Sequence, residues 1–385
     1  MKILHTSDWH LGKMLYGRTM MQDQQHFIYH ELLPLLDQIK PDILLIAGDI
    51  FDRQIAPPEA IRLFDAVTEE VCLKRKIPIA AITGNHDGAD RVSVGLSMLR
   101  ERGLSIANRL EHFLEPIKLE DEFGDIAIYS LPFFEPSEVR ILLGDDTIRG
   151  YEEAYRAILQ TIKQNMDAKA RNLLMAHCFV AGAQISSSES PFAIGGSGEI
   201  PVTLFEGFDY VALGHLHGVQ APAENVWYSG TPLKFSFDEE KQKKGLLMID
   251  VLQKGKINVQ KIPIVPLRDM RKVTGTLDEI INHAKVDPHK EDYIYAEIQS
   301  DTPLFEPMQR LREVYPNTLG LRNGWIEGAR MGDEGRDELR SLIRNKKDAD
   351  TELFTAFIRL VSGRDTEPEE LEIFLDAMKN SQNKT

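Results

Sequence analysis

The 385-residue sequence contains only two cysteines, Cys72 and Cys178. Two thiols are too few for the disulfide framework of a small secreted protein, so the fold must depend on a hydrophobic core. No stretch approaches the roughly 18 uninterrupted apolar residues of a membrane span, and the N-terminus has no apolar signal-peptide segment. We therefore expect a protein of the reducing cytoplasm with no membrane span.

Basic residues are few relative to acidic ones: 45 Lys and Arg stand against 60 Asp and Glu, a formal charge of −15. Proteins that bind nucleic acid usually carry a basic face, so this balance argues against a general polyanion binder. It does not exclude a nucleic-acid enzyme, because bound divalent cations reverse the local charge of a carboxylate-rich site. The glycines at 195–198 are not followed by the Lys-Ser/Thr of a phosphate loop, and we interpret them as a flexible loop.

An apolar run at residues 43–46 leads directly to Gly48, Asp49 and Asp52. Ile and Leu without alternation predict a strand buried on both faces, which is typical of α/β sheets with chemistry at the carboxyl ends of their strands. Other predicted strands also end in side chains that bind metals. The candidate ligands collected in this way are Asp8, His10, Asp49, Asn85, His177, His215 and His217.

These candidates combine carboxylate, amide and imidazole groups without a thiolate, a set that suits Mn²⁺ or Fe²⁺ better than Mg²⁺ or Zn²⁺. Seven ligands are too many for one ion with an open position, but they suit two ions that share one carboxylate. Asp49, central in the predicted sheet, is the natural bridge. Two such ions activate water and neutralise phosphate oxygens, which predicts hydrolysis of a phosphate ester.

The spacing of the candidates predicts different roles for neighbouring residues. In extended chain, Asp8 and His10 face the same side, because side chains alternate with a period of two. By the same alternation, His86 next to Asn85 points away from the ions and is free to protonate a leaving group. Asp52, one turn from Asp49, is predicted to orient a ligand imidazole.

Other residues with metal-binding side chains have simpler interpretations. His26 and His30 lie four residues apart on the helix predicted over 19–39, and we interpret them as surface or boundary histidines. Cys178 adjoins His177, but alternation turns its side chain away, and an oxygen-rich site does not favour a thiolate. We interpret Cys178 as a packing residue.

Changes in hydrophobic periodicity and in charge along the chain predict four segments. Residues 1–265 are predicted as an α/β phosphoesterase domain, and residues 266–332 as a small α+β capping unit with the order strand, helix, strand, helix, strand. Residues 333–350 are dominated by charge and predict a linker. Residues 351–385 carry two short amphipathic helices that we assign to partner binding, with a terminal hairpin docked on the capping unit as the alternative.

Taken together, the motifs resemble those of the calcineurin-like metallophosphoesterase superfamily. The matching residues are Asp8-x-His10, Gly48-Asp49-x-x-Asp52, Gly84-Asn85-His86-Asp87, His177 and Gly214-His215-x-His217. The resemblance implies a core of packed mixed β-sheets flanked by helices, with His86 acting on the substrate phosphate and leaving group. The ligands that it implies for one ion are Asp8, His10, Asp49 and His217. Those that it implies for the other ion are Asp49, Asn85, His177 and His215.

Within this superfamily, residues 1–12, 228–233 and 236–239 resemble nuclease subunits that process DNA ends in repair, recombination and replication. The resemblance implies a Mn²⁺-dependent 3′→5′ exonuclease on duplex ends that also cuts hairpins and single strands. It implies a coiled-coil ABC-type ATPase partner at the terminal helices, and a homodimer within a heterotetramer. The apolar side chains near Met14, Leu15 and Tyr16 are the candidate dimer contact.

Two other hypotheses remain open. The same metal site would serve a phosphoesterase that acts on small phosphodiesters or phosphoproteins. Alternatively, the chain is a metal-free scaffold that joins a partner to DNA, although a scaffold has no physical need for seven converging ligands.

Overall fold

The computed structural model describes residues 1–92, 95–189, 198–300, 302, 304–323, 351, 354–355, 358, 364 and 366–382. The chain divides into two compact units, Met1–Met270 and Arg271–Thr385. In the part of the chain that the structure describes, no helix has the length and apolar character needed to cross a membrane.

Two six-stranded sheets form the first unit, and four neighbouring strands in each sheet are mutually parallel. The first sheet contains, in spatial order, Ile257–Pro263, Gly245–Val251, Lys2–Thr6, Ile43–Ala47, Ile79–Ile82 and Leu104–Ala107. The second contains, in spatial order, Gln220–Ala223, Val226–Tyr228, Tyr210–Gly214, Arg171–His177, Gly124–Leu131 and Ile117–Asp121. Short two-stranded pairs join Met14–Leu15 to Arg18–Thr19 and Phe179–Val180 to Glu199–Ile200.

The two sheets pack face to face through a shared hydrophobic cluster. Leu45 and Ile82 of the first sheet belong to this cluster together with Met175 and Ala212 of the second. Strand Ile43–Ala47 is buried at every residue, as expected for a strand covered on both faces. The expected α/β core of packed mixed sheets is thereby confirmed.

Helices cover the outer faces of the sheets. On the second sheet, Val139 and Tyr155 bring helices Pro136–Leu143 and Tyr151–Asn165 into the core. Trp9, which follows the first strand, meets Phe27 and Phe64 edge to face and so joins the first sheet to the helical stretches 21–39 and 58–74. Each of these stretches includes one π-helical segment, Phe27–Leu32 or Glu69–Lys74. Shorter helical segments are Ala89–Val92, Leu96–Arg100, Leu110–His112, Val202–Phe205 and Phe237–Glu239.

The second unit begins with a three-stranded sheet and two helices in the predicted order. The elements are Met270–Gly275, Leu277–Ala284, Tyr293–Ile298, Pro307–Val314 and Thr318–Asn323. Ile280, Leu311 and Tyr315 are buried in the core between them. Helix Pro368–Gln382 follows. The predicted linker 333–350 lies outside the described residues, as do most residues of the first predicted terminal helix.

Candidate metal centre

The predicted metal ligands meet where parallel strands of both sheets end. Three overlapping groups of side chains each place their potential ligand atoms within 4.8 Å of one another. The groups are Asp8, His10 and His217; His10, Asp49 and His86; and Asp8, Asp49 and His177. Since the groups share members, they form one continuous cluster rather than three separate sites.

Asn85 and His215 complete the cluster. Asn85 Oδ1 lies 3.0 Å from His177 Nε2 and 3.3 Å from His215 Nδ1. Asp49 Oδ2 lies between two imidazoles, 3.4 Å from His177 Nε2 and 3.7 Å from His10 Nε2. All seven predicted ligands are therefore close together, with the Asp49 carboxylate between His10 and His177.

The ligand side chains are not positioned by the alternation along an extended strand that we predicted. Strand Lys2–Thr6 ends before Asp8, and Asp8 and His10 have positive φ angles of 53° and 45°. Asp49 also has a positive φ of 50°. Such conformations cost non-glycine residues on the order of 1–3 kcal/mol each and concentrate at functional sites. The prediction that Asp8 and His10 lie along one extended strand is wrong, although both side chains reach the site.

Close approach of the two sheets fixes the orientation of His177. At Gly214, a Cβ would lie 1.8 Å from the carbonyl oxygen of Ala47, so no larger residue fits there. The same carbonyl oxygen lies 2.9 Å from His177 Nδ1. Because a carbonyl only accepts, His177 Nδ1 donates this hydrogen bond, and Nε2 is left to face the cluster.

Burial sets the protonation of several ligands. Desolvation lowers the pKa of His215 to about 3 and holds the pKa of His10 well below its ordinary value. Both imidazoles are therefore neutral at pH 7, the form that binds metals. Burial raises the pKa of Asp8 to about 6. For Asp49, burial also disfavours the charge, but the neighbouring imidazoles of His177 and His10 hold its pKa below the ordinary value.

His10 provides a test of whether a metal fits here. Within the described part of the chain, neither ring nitrogen of this buried side chain makes a hydrogen bond. A buried polar group without a partner costs about 1–3 kcal/mol, and a bound cation offsets that cost. Together with the carboxylate, amide and imidazole groups around it, this imidazole fits a divalent metal centre.

His86 belongs to one of these groups and does not point away from the other members. Residues 84–88 form no strand, and the backbone N–H of His86 donates to Asp49 Oδ1 at 2.9 Å. The His86 and His10 ring centroids are 4.8 Å apart. The prediction that alternation turns His86 away is therefore wrong. Its Nδ1 donates to the backbone carbonyl of Asp52 at 2.9 Å, which leaves Nε2 for another partner.

Asp52 is close to a ligand imidazole. Its Oδ1 lies 3.6 Å from His10 Nδ1 and 2.8 Å from Lys13 Nζ. The carboxylate is thus close to the imidazole that it was predicted to orient, and it also forms an ion pair with Lys13. Nothing in the spacing of the sequence indicated Lys13.

Two buried carboxylates near the site were not predicted. Asp87 accepts hydrogen bonds from the backbone N–H groups of Ile50, Phe51 and Gly84, so it ties together two segments that carry ligands. Burial raises its pKa to about 7. Asp87 belongs to a motif recognised in the sequence, which was the available signal for it.

Glu239 is the second such carboxylate and is fully buried. Its Oε1 lies 3.3 Å from His217 Nδ1, and its Oε2 forms a 2.6 Å ion pair with Lys244. Ser188 Oγ also lies 2.7 Å from His217 Nδ1. Glu239 lies in segment 236–239, whose resemblance to nuclease subunits was the available signal, whereas its contact with His217, 22 residues away, follows no local pattern.

The residues interpreted as unrelated to the metal stay outside the cluster. The rings of His26 and His30 are stacked with centroids 4.8 Å apart, and neither belongs to a candidate metal group among the described residues. Cys178 is buried in the hydrophobic cluster between the second sheet and its helices. Its interpretation as a packing residue is consistent with that position.

Comparisons with known proteins also indicate a phosphoesterase. The model of the calcineurin-like phosphoesterase family matches residues 1–219, and that of the type 5 capsule protein repressor C-terminal domain matches residues 266–361. The SbcD subunit of the SbcCD nuclease of Staphylococcus epidermidis is 34% identical over 324 residues, which cover 84% of this chain and 85% of that protein. The chain is a hydrolytic phosphodiesterase with a divalent metal centre, and it belongs to the calcineurin-like phosphoesterases and, within them, to the family of SbcD nuclease subunits.

Proposed function

We propose that this chain is a Mn²⁺-dependent nuclease that processes DNA double-strand breaks and hairpins. It acts as a 3′→5′ exonuclease on duplex ends and as an endonuclease on hairpins and single strands. The observation that carries the proposal is the convergence of seven ligands around Asp49 in a chain 34% identical to a nuclease subunit. Bound cations also offset the carboxylate charge of the site and make it compatible with a polyanionic substrate.

Two divalent cations would share Asp49. One would be held by Asp8, His10, Asp49 and His217. The other would be held by Asp49, Asn85, His177 and His215. When bound, such a pair supplies a nucleophile at neutral pH and neutralises the charge of the phosphate. Mn²⁺ suits the mixed ligands, and the buried Cys178 is no competitor because desolvation raises the pKa of its thiol to about 12.

The protein groups around this site divide the remaining tasks. His86, whose Nδ1 donates to the Asp52 carbonyl, would as an imidazolium carry a second proton on Nε2 and transfer it to the leaving oxygen of the cut strand. Ala47 orients the ring of His177 through its carbonyl oxygen. Glu239 orients the ring of His217 by accepting from Nδ1. Each ring is thereby held before substrate arrives, which reduces the reorganisation that catalysis requires.

Partner binding and DNA binding are assigned to the segments that follow the phosphoesterase domain. The relative's name denotes one component of SbcCD. We infer that residues 351–385 bind an SbcC-like coiled-coil ABC ATPase, that 266–332 form a capping domain for DNA, and that 333–350 link the two. Phe354 and Phe374 support a helical pair, because their rings stack with centroids 4.2 Å apart. A cytoplasmic heterotetramer would contain two copies of this chain, with the exposed Met14 and Tyr16 near the dimer contact.

Cleavage of labelled DNA tests the proposal. The purified chain is incubated with a blunt duplex and with a hairpin in the presence of Mn²⁺, Mg²⁺ or Zn²⁺. We expect Mn²⁺-dependent release of nucleotides from 3′ ends and incision of the hairpin. Asp49→Asn is the matched control, which should lose activity and metal at both positions because one carboxylate serves two cations. Hydrolysis of cyclic nucleotides or phosphotyrosine without DNA cleavage would contradict the proposal.

A further inference from the structure

Two cavities adjoin the metal centre, and Phe133 lines both. The larger has a volume of about 740 Å³, and its lining includes Asn85, Asn108, Phe133, Ile141 and Leu142. The smaller has about 20 Å³ and is lined by Phe133, Tyr151 and Phe179 together with His177 and His215. An aromatic wall therefore lies directly beside three of the proposed metal ligands.

Phe133 is held in place by its neighbours. Its backbone N–H donates to the carbonyl of Thr83 at 2.8 Å, next to the segment that carries Asn85. Its ring lies 6.3 Å from that of Tyr151, between centroids. The hydroxyl of Tyr151 in turn donates to Glu135 Oε2 at 3.0 Å. The Phe133 ring is half-buried, so one part is packed while another faces the cavity.

The charges around the larger cavity favour an uncharged, flat group. Its lining includes Arg109 but also four acidic side chains, of which Glu111, Glu135 and Glu138 would repel additional phosphates and Asp87 is bonded to backbone N–H groups. Ile141, 81% exposed, adds apolar surface to the lining. A nucleobase fits this combination, because it is neutral and stacks on aromatic side chains regardless of its identity.

We propose that this cleft binds an unpaired nucleobase of the strand being cut, stacked on Phe133. The inference rests on the proposed nuclease function and specifies how that site recognises its substrate. The phosphate would lie at the metal cluster while a flanking base occupies the 740 Å³ cavity. A base must leave its pair to reach the ring, so single strands and frayed ends would be seated more readily than intact duplex.

Single strands with an abasic residue test the stacking. In two 5′-labelled substrates, either the 3′-terminal nucleotide or the one before it lacks its base, and a third strand carries thymine at both positions. We expect the wild-type chain with Mn²⁺ to cleave the thymine strand about 10-fold faster than one of the abasic strands, a factor typical of base–aromatic stacking. Phe133→Leu should bring this ratio close to 1 without loss of bound Mn²⁺.

The control is Phe123→Leu. Phe123 is 38% exposed and precedes strand Gly124–Leu131, whereas Phe133 follows it, so the two rings belong to opposite ends of one strand. This variant should keep the wild-type ratio. The same ratio in Phe133→Leu as in the wild type, or a wild-type ratio near 1 at both abasic positions, would overturn the proposal.

A second measurement needs no variant. A strand with 2-aminopurine at the sensitive position and a methylphosphonate at the scissile linkage is bound to the wild-type chain. Transfer of 2-aminopurine from its neighbouring bases to Phe133 should change its fluorescence on binding, and fluorescence that stays unchanged in the bound strand would overturn the proposal. Failure of the wild-type chain to cleave any DNA would instead contradict the nuclease function, which separates the two conclusions.

Discussion

At the scale of single residues, three imidazoles in the centre each donate a hydrogen bond to an oxygen outside it. The Ala47 carbonyl holds His177, the Asp52 carbonyl holds His86, and Glu239 holds His217. An acceptor at one ring nitrogen fixes the tautomer and the direction of the other. Substitution of His86 or of the Glu239 side chain separates proton transfer from metal binding, because each changes one imidazole at a time.

His86→Gln tests the role of the imidazole that the structure places beside the ligands. If His86 protonates the leaving oxygen, turnover should fall by about 10²–10⁴-fold, as is usual for general acid–base groups. Mn²⁺ stoichiometry, measured by elemental analysis, should stay at the wild-type value. The exposed His112 offers a matched control, His112→Gln, with unchanged turnover. Loss of bound Mn²⁺ from His86→Gln would show that His86 is a ligand.

Glu239→Gln tests the buried carboxylate behind His217. Although burial disfavours its charge, His217 and Lys244 hold the pKa of Glu239 below its ordinary value, so the carboxylate is ionised at pH 7. The amide keeps the shape but weakens the bond to His217 Nδ1, and we expect Mn²⁺ affinity to fall by about 10–100-fold. Activity should recover at saturating Mn²⁺. Titration with Mn²⁺ measures the affinity and the recovery of activity, and the exposed Glu224→Gln serves as the control. An unchanged Mn²⁺ affinity in Glu239→Gln would refute a positioning role.

The ligand types were predictable from the sequence, but their backbone geometry was not. Polar residues that follow buried strands indicated the seven ligands, because the carboxyl ends of parallel strands meet at one edge. The positive φ of Asp8 and His10 has no comparable signal, since it is imposed by contacts between distant segments. Backbone hydrogen bonds such as Asp8 N–H to the Gly48 carbonyl join two loops that lie 40 residues apart in the chain.

At the scale of elements, strands buried on both faces were predictable and edge strands were not. Ile43–Ala47 has a continuous apolar sequence because it is covered on both sides. Ile117–Asp121 and Ile257–Pro263 lie at sheet edges and alternate between half-buried and exposed residues. Their polar residues resemble those of loops, so only pairing with a neighbouring strand identifies them.

Arg171 joins elements from both sheets. The side chain is 1% exposed, and its guanidinium donates to Asp121 and to the backbone carbonyls of Gly124, Val251 and Leu252. The N-terminal amine of Met1 lies 2.8 Å from Asp121 as well. One carboxylate therefore neutralises a buried guanidinium where the two sheets meet.

Asp121→Ala should lower the free energy of unfolding at pH 7 by about 3–5 kcal/mol, because it leaves a buried charge without its partner. The hydrogen bond from Arg171 holds the pKa of Asp121 below its ordinary value. The stabilisation is therefore full above the unfolded-state pKa and is lost as the pH falls through the lower folded-state pKa. Urea unfolding at several pH values measures this, with the exposed neighbour Glu122→Ala as the control. Equal destabilisation at pH 7 and under strongly acidic conditions would contradict it.

At the scale of the whole molecule, the charge of −15 must be reconciled with the proposed DNA substrate. A chain this acidic gains little from general attraction to phosphates, so productive binding depends on cations in the site and on a partner. We therefore expect metal-dependent cleavage and partner binding to reside in separate parts of the chain. The metal cluster lies within Met1–Met270, whereas the proposed partner segment lies at the end of the second unit.

Truncation after Asp333 tests that division. The core of the second unit includes Leu311 and Tyr315, and its last strand, Thr318–Asn323, ends before the cut, so the shortened chain should fold. The removed part contains helix Pro368–Gln382, an amphipathic segment suited to docking on a partner helix or coiled coil. Mn²⁺-dependent cleavage of single strands should therefore persist. Co-purification with the ATPase, and ATP-stimulated processing of duplex ends, should be lost. If the truncated chain binds the ATPase with unchanged affinity, residues 351–385 are not the docking segment, and the partner must contact the chain before Asp333.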